Sequence, residues 1–168
     1  MKNLLKFILL PLILTIALIP VIAQDTFTLK AGVSIEEVPE AIFGSWSVQA
    51  KIIESDNYKM FKPKSTDLWN ISRLGNVLNL SNPFTGASAD VSLNAAQGNV
   101  VSFTRIVDYD NKKLTDVVTV RLEKNSFSGI NDIKLEEFSL IDNHLMNSYT
   151  AKYEIKGEKL SGGDVLKK

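Results

Sequence analysis

Past residue 44 the chain alternates. Trp46, Val48, Ala50 and Ile52 share one phase, and Ser45, Ser47, Gln49 and Lys51 share the other. Successive side chains of an extended strand point to opposite faces, so a period of two marks a strand with one dry side and one wet side. The rhythm returns at Trp69 and Ile71, at Leu78 and Leu80, and at Ala87, Ala89, Val91 and Leu93. It returns again at Val101, Phe103 and Val107, at Val118, Val120 and Leu122, at Ile133 and Leu135, and at Tyr149, Ala151, Tyr153 and Ile155. Turn-forming residues separate these runs: Gly75-Asn76, Asn82-Pro83 to Gly86, Gln97-Gly98-Asn99, Asp110-Asn111, Asn125-Ser126 and Asp142-Asn143. The pattern predicts an all-β fold, about eight strands in an antiparallel up-and-down barrel. Eight tilted strands can close on themselves and leave no exposed edge. No helical period long enough for a βαβ crossover intervenes.

Before the alternation the character changes twice. Residues 1–23 open with Lys2 and Lys6, continue through an apolar run from Phe7 to Ile22, and end in Val21-Ile22-Ala23. That is the pattern of a secretory signal peptide cleaved before Gln24. The alternative is a retained anchor, but the run is short for a span of ~20 residues and carries Pro11 and Pro20. Residues 24–41 form a lead-in. Within it Ser34 and Glu37 have the spacing of a capping box, and Pro39 keeps the helical turn there short. The barrel is expected over 42–160, and the polar, glycine-rich 161–168 as a flexible tail.

Composition narrows the setting. The chain has no cysteine, so packing and hydrogen bonds hold the fold and lipidation at a cysteine is excluded. An exported, cysteine-free chain points to a secreted or periplasmic bacterial protein. Losing Lys2 and Lys6 with the signal takes the formal charge from 0 to −2. There is no polybasic run, so nucleic acid is not an expected partner. A transmembrane barrel would turn an apolar band with aromatic girdles toward lipid. Here the second phase of most strands carries Ser, Asn, Lys and Glu, so no membrane span is expected once the signal is removed.

The stretch "VPEAIFGSW" resembles the opening of lipocalins and related calycin barrels, where a short turn precedes a G-x-W motif on the first strand. In this chain the motif is Gly44-Ser45-Trp46. The resemblance covers Ile42 to Leu160 in length and strand count, and implies an atypical member. It implies that Trp46 plugs the closed end of the barrel and that Gly44 lets the backbone bend across that end. In lipocalins an arginine on the last strand packs on this tryptophan. The last strand read here, Tyr149 to Ile155, offers Lys152 and no arginine. Thr115-Asp116 is superficially similar to a second lipocalin motif, but it precedes a strand.

The sequence offers little for catalysis. His144 is the only histidine and stands in the turn-like "IDNHLMN". One histidine without a second ligand at hairpin or helical spacing makes no metal site. Glu136 and Glu137 are adjacent, so alternation sends them to opposite faces. No enzyme activity, cofactor or metal is expected. Two arginines carry more information. Arg105 is in phase with Val101 and Phe103, and Arg73 with Trp69 and Ile71. A guanidinium turned inward needs a carboxylate or a comparable anionic partner. The expected ligand site is Arg105 and Arg73 with the inward-phase Trp69, Phe103, Tyr149 and Tyr153, the alternative for each aromatic being plain core. It would hold a small apolar or amphipathic ligand, with an anionic head on the arginines. The same arginines could instead stack on Trp46 or reach out at strand ends. The alternative function is a protein-interaction module or inhibitor with a filled barrel. That reading expects an exposed apolar patch near Phe84 in "NPFTG".

Overall fold

The computed structural model describes residues 33–162. The expected signal segment 1–23, the first part of the lead-in and nearly all of the expected tail lie outside the described residues. Eight antiparallel strands succeed one another: β1 (Gly44–Ser55), β2 (Lys64–Leu74), β3 (Val77–Ser81), β4 (Ser88–Gln97), β5 (Val100–Tyr109), β6 (Lys112–Leu122), β7 (Ser126–Phe138) and β8 (Leu145–Ser161). Each pairs with the next, and β1 pairs with β8, so the sheet closes in a ring. Closure is a consequence of the pattern: a sheet with one dry face must bury it, and rolling up does so without leaving an edge.

The dry phase is the inside. Val48, Ile71, Leu78, Leu80, Val91, Val101, Phe103, Val118, Val120, Phe127, Leu135, Ala151 and Ile155 form one buried cluster. A bulge between Leu93 and Ala95 shifts the phase of β4, so that Ala96 rather than Ala95 packs against this core. The outward phase stays polar, as in the exposed Gln49 and Lys51 of β1 and the exposed Lys156 and Glu158 of β8. Among the described residues no helix is long and apolar enough to cross a membrane.

In place of one helical turn, two successive 3-10 turns lead into β1, at Ile35–Glu37 and Glu40–Ile42. Ser34 caps the first, its Oγ accepting from the N–H of Glu36 at 3.3 Å. The acidic partner of Ser34 is Glu36 and not Glu37, the Ser34 hydroxyl donating to Glu36 Oε2. Pro39 stands at the N-cap of the second turn, where a missing N–H leaves nothing unpaired. Ile35, Val38 and Ile42 are buried, and lay these turns across the end of the ring.

Because the chain is a meander, segments 56–63, 82–87, 110–111 and 139–144 gather at one end. Segments 75–76, 98–99 and 123–125 gather at the other, with the 3-10 turns.

Candidate functional site

The two ends differ in how they are filled. At the covered end Trp46 is fully buried and its indole Nε1 donates to the carbonyl of Ile42 at 2.8 Å. Phe127 packs on it with ring centroids 5.0 Å apart. Trp69 stacks on Phe127 at 6.1 Å and meets Phe103 edge-on at 6.5 Å. Phe127 has room because its β8 partner is Gly157, where a Cβ would lie 2.3 Å from the Phe127 ring. Gly44 has φ +129, and a Cβ there would lie 2.2 Å from the Ser161 carbonyl oxygen. Only glycine takes that bend at that approach.

Lys159 completes this end. Its Nζ sits 5.0 Å from the centroid of the Trp46 ring and donates to the carbonyl of Ala41 at 2.6 Å. It faces Trp46 across the β1–β8 pairing. The cation over the tryptophan therefore belongs to neither arginine nor to Lys152. Reading the last strand as ending at Ile155 hid it: β8 runs on to Ser161, and Lys159 is in phase with Tyr153 and Ile155.

The other end is hollow. A cavity of about 320 Å³ lies inside the ring, its walls including Val48 and Ala50 of β1, Trp69 of β2, Leu114 and Asp116 of β6, and Asn131 and Ile133 of β7. A second hollow of about 360 Å³, toward β3 and β4, shares Asp67, Trp69, Arg105 and Leu114 with it. Segment 56–63 folds over the mouth. Its Phe61 is buried, and the Tyr153 hydroxyl donates to the Lys62 carbonyl at 2.8 Å, tying the segment down. Burial pushes the Tyr153 phenol above its ordinary pKa.

Polar groups line one wall of this apolar space. Arg105 and Asp116 are direct partners across β5 and β6. Arg105 Nε donates to Asp116 Oδ2 at 2.7 Å, and Nη2 donates to the same oxygen. The Asp116 side chain is only 4% exposed, against 34% for Arg105. A carboxylate so deep needs its cation close, because an unpaired buried charge costs several kcal/mol. One strand further on, Asn131 is the direct partner of Val118 on β6 and of Tyr153 on β8. Its Oδ1 is buried and, among the described residues, accepts no hydrogen bond. Arg105, Asp116, Asn131 and Tyr153 thus form a polar stripe across β5 to β8, opposite Val48 and Ala50 of β1 and Trp69 of β2, with the exposed Ser65 and Asp67 of β2 also on the lining.

Of the expected site residues, Arg105, Trp69 and Tyr153 line the cavity. Arg73 does not. Its strand ends at the covered end, where Nη2 donates to Glu36 Oε1 at 2.9 Å and Nε donates to the Gly75 carbonyl. There Ser34 and Arg73 hold the Glu36 carboxyl below its ordinary pKa. Phe103 is buried in the aromatic stack, and Tyr149 packs against the core without reaching the cavity wall. Asp116 and Asn131 escaped the sequence reading. The signal was there: each is polar on the phase of its strand's core residues, Asp116 with Val118 and Val120, Asn131 with Phe127 and Ile133.

Among the described residues the other polar groups form no comparable site. Glu136 pairs with Lys134 and Glu137 with Lys112, so the adjacent carboxylates have separate partners. His144 meets Asp142 at 2.6 Å in the exposed 139–144 segment. Ser139 and then His144 hold the Asp142 carboxyl below its ordinary pKa. A trough of about 510 Å³ also runs over the outward side chains of Thr115, Asp132, Lys134 and Lys152, with none of these groups buried. No protein-family description, curated protein or solved structure matches the chain.

Proposed function

We propose that this chain is an exported, lipocalin-like barrel that binds a small amphipathic molecule inside the open half of the ring. One observation carries the reading. A cavity of about 320 Å³ with apolar walls contains the Arg105–Asp116 pair and the unpaired Asn131 carbonyl. Small-molecule sites have this composition: a mostly apolar hollow with few, fixed polar groups. A ring that only needed a core would fill that volume with side chains, as it does around Trp46. The lipocalin-like assignment draws support from the turn before Gly44-Ser45-Trp46, the strand order and the Lys159 cation over Trp46. The reading is of a binder and not an enzyme, because the polar stripe pairs a cation with a carboxylate and holds no nucleophile beside a base.

Native mass spectrometry of protein purified from its own host tests this, together with tryptophan emission across a panel of long-chain amphiphiles. The expected results are a retained small-molecule mass and a shift in emission from Trp69. A bare mass with no emission change across the panel would overturn the reading.

A second reading has its own support. The loops around the mouth expose large apolar side chains, among them Phe84 at 86%, Leu140 at 85% and Ile141 at 97%. Such a crown suits contact with a protein partner. Replacing Phe84, Leu140 and Ile141 together by serine separates the two: loss of partner capture with amphiphile binding intact favours the module.

A further inference from the structure

Resting on the interior-site reading, we infer that the ligand's head group is uncharged and bears a hydrogen-bond donor, as a hydroxyl or a primary amide does. The charges on the wall are already balanced. Arg105 and Asp116 neutralise each other, and the other charged residues lining the cavity, Lys62 and Asp67, are exposed at the mouth. A carboxylate head would either leave a third charge without a counterion or displace Asp116 from Arg105. Displacement strands a carboxylate that is 4% exposed, and breaking such a buried pair is strongly unfavourable. An ammonium head meets the mirror problem at Arg105.

Two acceptor oxygens on the wall stand unmet. Both Arg105 bonds go to Asp116 Oδ2, and among the described residues Asp116 Oδ1 accepts none. Asn131 Oδ1 is buried and also accepts none. The two residues are diagonal neighbours on the inner face, since Asp116 pairs with Ile133 and Val118 with Asn131. Arg105 has five N–H groups, of which Asp116 takes two. A hydroxyl donates to one of these oxygens and accepts from a remaining Arg105 N–H. A primary amide does the same. An ether can only accept, and leaves the buried carbonyl unmet.

The test is titration of the purified protein, monitored by Trp69 emission and calorimetry, with four probes of equal chain length: 1-decanol, decyl methyl ether, decanoate and decylammonium. Decanol is expected to bind about tenfold more tightly than each of the other three, the worth of about one buried hydrogen bond or more. Asn131→Leu should weaken decanol about tenfold and leave the ether unchanged. If that variant does not fold, the four wild-type affinities decide alone. Decanoate or decylammonium binding as tightly as decanol overturns the uncharged head. The ether matching decanol overturns the need for a donor. Either outcome leaves the interior site standing. Failure of all four probes to bind overturns the interior site, and the head-group inference falls with it.

Discussion

At the covered end of the ring, Trp46, Phe127, Trp69 and Phe103 touch in sequence, two 3-10 turns lie across them, and Lys159 closes the last gap from β8. At the open end the same eight strands, with the same alternation, surround a hollow lined by Arg105, Asp116, Asn131 and Tyr153. Strand geometry is not what separates them. The difference is inward side-chain size and polarity along each strand. β7 passes from Phe127 through Gly129 to Asn131, and β5 from Phe103 to Arg105. One half is built for stability and tolerates no loss of volume. The other keeps space and polar groups that stability alone does not require.

The comparison can be broken at either half. The largest expected effect is at the filled end. Trp46→Ala should cost about 3–5 kcal/mol in denaturant unfolding, the range for a large aromatic removed from a close-packed core. A cost under about 1 kcal/mol would mean that this end is loosely packed. Next comes the ion pair. Asp116→Leu leaves Arg105 without its partner and should cost about 2 kcal/mol, below the fully buried range because Arg105 is partly exposed. The double variant Arg105→Met with Asp116→Leu should regain most of that stability while losing affinity for an amphiphile. Recovery of both would make the pair purely structural.

Smaller effects are expected at single contacts. Lys159→Met removes the cation over Trp46 and the bond to Ala41, and should cost about 1 kcal/mol by the same measurement. Tyr153→Phe frees segment 56–63 from its tether, for about 0.5–1.5 kcal/mol, and should speed amide exchange there. Tyr153 also fixes a pH dependence. Its folded pKa is raised, so above the ordinary tyrosine range near 10.0 the unfolded chain releases the proton first. Its contribution is present below that range and is lost as pH rises through it. Tyr153→Phe should flatten this part of the alkaline unfolding curve. The smallest effect is Arg73→Met. The Arg73–Glu36 pair is exposed and remote from the cavity, so amphiphile affinity should not change.

The filled half was the more legible in sequence, and the reason is physical. Apolar alternation reports burial directly, so Trp46, Val48, Ile71, Phe103 and Val120 declare their side of the sheet. Gly44 announced the bend. The hollow half is written in exceptions to the alternation, and exceptions look like noise until register aligns them. Arg105 stood out as a lone charge on a dry phase. Asp116 gains meaning only as its cross-strand partner, and Asn131 only as the neighbour of Tyr153. Register between strands is set by turns and bulges, such as the shift at Leu93, and those do not show in single-strand periodicity. Arg73 misled for a related reason. It keeps the inward phase of Trp69 and Ile71, but it lies one residue from the end of β2, where the ring no longer encloses it.

The chain's two tryptophans are direct partners across β1 and β2, and of the two only Trp69 reaches the cavity. Trp46 is sealed into the filled end, and Trp69 lies on the cavity wall. An ¹⁵N–¹H spectrum resolves both indole N–H groups in a single titration with 1-decanol. The Trp69 indole signal is expected to move saturably while that of Trp46 stays in place. A stationary Trp69, or a Trp46 that moves as far, would contradict the division of this ring into a solid half and a hollow one.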